Sequence, residues 1–163
     1  MNDCKAAQRI LVDVIPRAYR ILPPAMKDPR ATVLLLAIGL QESRFEHREQ
    51  IGGPARGYWQ FERGGGVRGV LRHWSTRTPA AMACAARDCP VLPNDVYLHI
   101  AEDDVLACAF ARLLLFTDPA PLPDIGLYDE AWRYYVRTWR PGKPHQRTWR
   151  KLYDEAVATV RGA

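Results

Sequence analysis

Glu42 is the side chain whose setting most favours chemistry. It falls near the end of a helical pattern opening at Asp28-Pro29, where Asp suits the N-cap and Pro the first helical position. Leu35, Ile38, Glu42 and Phe45 recur at i, i+3, i+7 and i+10, so a carboxylate lies in the apolar stripe that faces the core. Burial disfavours the charged form, and so does the partial negative charge at a helix C-terminus; both push the carboxyl pKa upward. Arg44 points elsewhere at i+2, whereas Glu46 at i+4 is a like charge pushing the same way. A carboxyl so placed is a candidate general acid. A solvated Glu fraying off a helix end is the plain alternative.

The segment that follows the helix bears on that choice. Residues 51–66 hold six glycines, at 52, 53, 57, 64, 65 and 66, around the aromatic cluster Tyr58, Trp59 and Phe61. Glycine lets backbone approach a ligand closely, and aromatic rings offer flat faces to the C–H faces of sugars. Gln60 adds an amide able to bond an acetamido group. A phosphate cradle is the weaker reading, since no Gly-Lys-Ser/Thr follows. A surface hairpin whose aromatics are simply core is the other alternative.

Gln41-Glu42-Ser43-Arg44-Phe45 followed by Gly57-Tyr58-Trp59-Gln60-Phe61-Glu62 resembles the lysozyme-like superfamily, in particular lytic transglycosylases and goose-type lysozymes. Their pattern is a Gln-Glu-Ser-x-Phe helix end followed by Gly-Leu-Met-Gln, from which this chain departs at Tyr58 and Trp59. The form Gly-x-Trp-Gln-Phe-Glu before a glycine run is similar to the variant in phage endolysins. The resemblance implies a mostly α, lysozyme-like helical domain with a small Gly-rich β-hairpin beside the active-site cleft, and Glu42 as catalytic acid. It also implies a late Tyr beside that acid. Tyr135 occupies the corresponding place in chain order, with Tyr134 as fallback, although the family's Asn-Ala-Gly is absent after them.

Composition sets the outer bounds. The 163 residues suit one domain, 1–163, with a core large enough to need no staples. A net charge of +5 favours an acidic partner: nucleic acid, anionic lipid or bacterial cell-wall polymer. The basic residues are scattered singly, which argues against a nucleic-acid tail. The apolar runs 33–40 and 105–116 are far shorter than the ~20 residues a membrane-spanning helix needs. The N-terminal run 10–15, broken by Asp13 and stopped by Pro16, is no secretory h-region. Cys4, Cys84, Cys89 and Cys108 match no zinc module; buried thiols are expected, with a Cys84–Cys89 disulfide open outside the cytoplasm.

Helical spacing places the remaining elements. An amphipathic helix spans 3–22 with a kink near Pro16, and the acid-bearing helix spans 29–45. A short helix over 67–74 has Val67, Val70, Leu71 and Trp74 on one face, and His73 reads as a surface or groove residue. A helix over 78–87 and a short turn capped by Asn94 precede the most apolar helix, 101–117, with Asp103 and Asp104 in its first turn. A proline-rich connector, 117–123, leads to a helix over 129–139, and a last helix carries Trp149, Leu152, Tyr153, Ala156, Val157 and Val160.

Glycoside cleavage needs an acid for the leaving oxygen and a group to satisfy the oxocarbenium-like centre. Glu42 supplies the first and Glu62, just past the aromatic loop, is the best-placed second carboxylate. The resemblance implies a peptidoglycan-degrading glycosidase that cuts between N-acetylmuramic acid and N-acetylglucosamine. In lytic transglycosylases the substrate's acetamido group and C6 hydroxyl replace the second carboxylate, giving a 1,6-anhydro sugar; a hydrolytic lysozyme of the same fold is the alternative. Gly57, Tyr58, Trp59, Gln60, Phe61, Tyr134 and Trp139 are expected to line the groove, with Arg140 and Lys143 meeting carboxylates of the wall. No metal or cofactor is implied. The expected protein is a monomeric, bacteriolytic phage-lysis enzyme, made in the host cytoplasm and acting in the periplasm beside a holin-type permeabilising partner. A non-catalytic cell-wall-binding protein and a basic nucleic-acid binder are the readings from other classes; no recognised nucleic-acid motif supports the latter.

Overall fold

The computed structural model describes residues 2–163, and its frame is α3, Pro29–Ser43. Asp28 caps this helix, its carboxylate accepting the Arg30 N–H at 2.8 Å, and Pro29 opens it. Ten of its residues are buried, so it is a core helix covered on several sides rather than a surface helix with one apolar stripe. It ends at Ser43, two residues before the sequence pattern does, because Arg44 and Phe45 both turn left-handed, at φ 56° and 54°. That reversal folds the Phe45 ring back over Gly39, where a Cβ would lie 2.1 Å from a ring carbon. Only glycine leaves room for the ring.

The other helices wrap this one and α7. The first stretch is α1 (Asn2–Arg9), a π turn (Ile10–Val14) and α2 (Ile15–Arg20), helical throughout. Pro16 lacks an N–H and its ring crowds the carbonyl four residues back, so the turn before it widens and the Ile15 N–H bonds the Ile10 carbonyl. α4 (Arg68–Arg72) and α5 (Arg77–Ala86) lead to α6, an eight-residue helix over Pro93–Ile100 where the sequence suggested a turn capped by Asn94. Pro93 takes the first helical position, and Leu92 stands at the cap.

α7 (Asp104–Phe116) is buried over almost its whole length, as its composition predicts. It starts three residues later than expected because Asp103 is its cap, accepting the N–H groups of Val105 and Leu106. Asp103 and Asp104 carry packing, paired with Arg87 and Arg48 at 2.8 and 2.9 Å. α8 (Tyr128–Trp139) and α9 (Gln146–Arg161) close the assembly, α9 lying along α3 and α8 against α7, α9 and α3.

The chain is mostly helical, but the expected Gly-rich β-hairpin does not form. Among the described residues the segment makes two isolated bridges, Glu49 to Arg56 and Arg56 to Phe61. Arg56 and Phe61 exchange both backbone bonds at 2.9 and 2.8 Å, which closes a tight loop through Gly57 at φ 75° and Gln60 at φ 53°. Tyr58, Trp59 and Phe61 all turn into the core instead of alternating between faces, so no ladder can extend. The glycine run is likewise a π turn, Arg63–Val67, that feeds α4.

No helix among the described residues is long and apolar enough to cross a membrane. All four cysteines are free thiols, three of them buried.

Candidate active site

Where α3, the aromatic loop, the glycine turn and α8 meet, they leave a cleft of about 1110 Å³. Glu42 lies on its α3 wall, half-buried. Burial lifts the carboxyl from its ordinary 4.5 to about 7, and a hydrogen bond from Tyr135 opposes the shift without cancelling it. Glu46, expected from its spacing to push the same way, is exposed beside His47, 3.8 Å away, and burial alone does the raising.

Tyr135 reaches Glu42 from α8. Its hydroxyl donates to Oε1 at 2.5 Å, while its ring stacks flat on Trp149, centroids 5.2 Å apart and planes 4° from parallel. Burial, followed by the neighbouring carboxylate, pushes its phenol pKa far up, so Tyr135 stays a neutral phenol with its O–H committed to Oε1. A proton on Glu42 therefore belongs on Oε2, the oxygen Tyr135 leaves free. Tyr134, the fallback, is excluded from the cleft. One helical step turns it away, and its hydroxyl donates to the Leu115 carbonyl at 2.8 Å in the core.

Besides Tyr134, three of the expected groove residues are packing residues. Trp59 is 0% exposed, its indole N–H donating to the Leu35 carbonyl at 2.8 Å. Tyr58 is 4% exposed, its ring 4.5 Å from the Arg48 guanidinium. Gly57 is buried against Ile100, where a Cβ would come 2.7 Å from a side-chain methyl. An aromatic run in a short loop bordering a helical core gains more by burying its rings than by holding them in water.

The other expected residues border the cleft. Phe61 contributes to its floor although only 2% exposed, set edge-on to Phe110. Gln60 is anchored by its side-chain N–H to the Gly57 carbonyl at 3.0 Å, and exposed Glu62 follows it on the same wall. Trp139 is half-buried, its indole N–H donating to the Trp59 carbonyl at 2.9 Å. Arg140, turned left-handed at φ 50°, and exposed Lys143 put two cations on the segment after α8.

Sequence reasoning missed the residues that hold these walls together. The Ser43 hydroxyl donates to the Tyr58 carbonyl at 2.7 Å and accepts the Phe45 N–H at 3.1 Å, tying the end of α3 to the aromatic loop. Serine at a helix end, where hydroxyls bond local backbone, was the available signal. Gln41 donates to the His145 carbonyl and accepts from Thr148, both at 3.0 Å, fixing the rim segment to α3. Arg137 and Asp118, paired at 2.9 Å, border the cleft too. Nothing in the sequence marked either contact.

A second depression, about 810 Å³, lies among α1, α2, α6 and α7, where Arg87–Asp103 and the looser Arg56–Glu49 contact pair off much of its charge. Among the described residues no group of three or more His, Cys, Asp or Glu side chains is arranged to hold a metal ion. Comparison with family models, with curated proteins and with solved structures found no match.

Proposed function

We propose that this chain is a peptidoglycan-cleaving glycosidase in which Glu42 is the general acid. The observation that carries the reading is the Glu42 carboxyl itself, burial holding its pKa at about 7 inside an open cleft bordered by Trp139, Gln60 and the cations Arg140 and Lys143. A group with that pKa is substantially protonated at neutral pH and readily gives the proton up.

In this mechanism the glycosidic oxygen takes the proton from Oε2 of Glu42 as the C1–O bond breaks. The carboxylate that results keeps the Tyr135 hydrogen bond on Oε1, which strengthens as the charge develops. Trp139 offers a flat face to a sugar ring, Gln60 an amide to an acetamido group, and Arg140 and Lys143 attract muramoyl and peptide carboxylates. The substrate's own acetamido group stabilises C1 and its C6 hydroxyl closes on it, giving a 1,6-anhydro product and returning a proton to Glu42. Glu62 is the candidate second carboxylate if water attacks instead. Action on the wall from the periplasm, after a membrane-permeabilising partner opens the way, belongs to the same reading.

Mass spectrometry of peptidoglycan digested by the wild type and by Glu42→Gln tests it. Expected are muropeptides with anhydro ends, lighter by one water than hydrolytic products, and none from the variant. Wild-type release of sugar ends by the variant removes Glu42 from the mechanism; binding without release by the wild type leaves only a wall-binding protein.

A further inference from the structure

Trp74 has 80% of its surface in solvent, whereas the other four tryptophans are buried or half-buried. Helical spacing places it on the packed face of α4, but α4 stops at Arg72 and the turn that follows carries the indole outward. That turn is firmly held. Thr76 is fully buried and donates its hydroxyl to the Val70 carbonyl at 2.7 Å, and the His73 carbonyl accepts the N–H groups of Thr76 and Arg77.

The indole stacks on His73, ring centroids 5.8 Å apart and planes 30° from parallel, and His73 borders the cleft that contains Glu42. His73 is itself fixed in orientation, its Nδ1 accepting the Ser75 N–H at 3.2 Å and lying 2.7 Å from the Ser75 hydroxyl. A ring nitrogen that accepts a backbone N–H carries no proton, so in the neutral imidazole the proton sits on Nε2. The end of α4 thus presents a preorganised flat apolar face beside an N–H donor. A pyranose ring offers the matching pair, a C–H face and an exposed oxygen. Arg72 and Arg77, two residues before Trp74 and three after it, are exposed cations.

We propose that Trp74 and His73 form an additional saccharide-binding subsite on the α4 wall, gripping a sugar of the glycan strand other than the one whose bond is cut at Glu42. The inference rests on the glycosidase reading of the cleft, which at about 1110 Å³ exceeds the roughly 300–1,000 Å³ that holds a drug-sized ligand and leaves room for several sugars.

Binding is measured by pelleting with purified peptidoglycan in a Glu42→Gln background, where the substrate stays intact. Adding Trp74→Ala is expected to weaken binding about tenfold, Trp74→Phe to restore most of it, and His73→Ala to fall between. With Glu42 restored, Trp74→Ala is expected to raise KM on polymeric wall by about the same factor while kcat stays within about twofold. Equal pelleting with and without Trp74, at an unchanged melting temperature, overturns the subsite and leaves the glycosidase reading standing. If the wild type releases no sugar ends, the glycosidase reading falls. Binding of soluble N-acetylglucosamine hexamer then decides: loss of affinity in Trp74→Ala sustains the subsite, and equal affinity overturns it.

Discussion

The Tyr135 hydroxyl donates to Glu42 Oε1 at 2.5 Å, so α8 and α3 are joined at the carboxyl whose other oxygen, Oε2, delivers the proposed proton. Burial raises the Glu42 pKa to about 7, and this bond is the one contribution lowering it. The two effects fix where activity falls with pH. A general acid must be protonated, so kcat/KM, which reports the free enzyme, is expected to decline above about pH 7, tenfold per unit. Tyr135→Phe removes the lowering contribution, which moves that decline to higher pH while reducing the plateau by roughly ten- to a hundredfold, the equivalent of about 1.5–3 kcal/mol for a hydrogen bond to a charged group. A pH–rate profile of both proteins checks this; an unmoved alkaline limb would separate Glu42 from the titration.

The same carboxyl makes stability depend on pH, in the opposite sense to a salt-bridged one. Its pKa is raised on folding, from 4.5 to about 7, so the folded protein holds the proton more tightly than the unfolded chain. That contribution is complete below pH 4.5 and is lost as pH rises through 7. Glu42→Gln stays neutral throughout. The two proteins are expected to be similar at pH 4, whereas at pH 8 the variant is more stable by on the order of 3 kcal/mol, at about 1.4 kcal/mol per pK unit. Denaturant melts at the two pH values measure the difference, and a variant no more stable at pH 8 would mean that the carboxylate is well solvated.

Gly39 and Gly64 make a controlled pair for the turn after α3. An alanine Cβ at Gly39 would sit 2.1 Å from the Phe45 ring, whereas one at Gly64 meets nothing within 4 Å. Phe45 is buried, edge-on to Tyr58 and Trp59 at 5.7 and 5.6 Å, so it has nowhere to retreat. Gly39→Ala is expected to cost about 1–3 kcal/mol by overpacking and to lower wall clearing through the displaced loop. Gly64→Ala is expected to stay within about 0.5 kcal/mol of wild type. Thermal melts of both variants, with clearing assays alongside, decide it.

Much of the helical frame could be read from the chain, because it rests on local signals. Asp28-Pro29 marks the start of α3, and the apolar run 105–116 marks α7 as the buried helix. The fate of the aromatic loop could not be read. Whether Trp59 faces a ligand or the Leu35 carbonyl depends on a contact spanning 24 residues, and local pattern is blind to it. Trp74 fails in the opposite direction: its spacing fits a packed helix face, but the helix ends at Arg72 and tertiary geometry leaves the ring in water. Glu42 was legible because burial and helix position both follow from its place among Leu35, Ile38 and Phe45, whereas the contacts by which Gln41 pins the rim, to His145 and Thr148, span 104 and 107 residues and no local pattern marks them.

Ser43 tests whether the acid and the aromatic loop act as one unit. Its hydroxyl satisfies two buried backbone groups at once, the Tyr58 carbonyl and the Phe45 N–H, at the point where α3 hands over to the loop. Ser43→Ala leaves both without this partner at a buried position, and each unsatisfied buried group costs about 1–3 kcal/mol. The expected loss is about 2 kcal/mol or more, a large share of a small domain's stability. Because Gln60 is carried on the same loop, the variant should also bind wall glycan more weakly below its melting temperature. Ser43→Cys keeps a small side chain but only a weak donor, so it should recover part of the stability and less of the binding. Hydrogen exchange at residues 56–61 provides the direct readout: faster exchange in Ser43→Ala places the lock at this hydroxyl, and unchanged exchange would show the loop held by Trp59 packing alone.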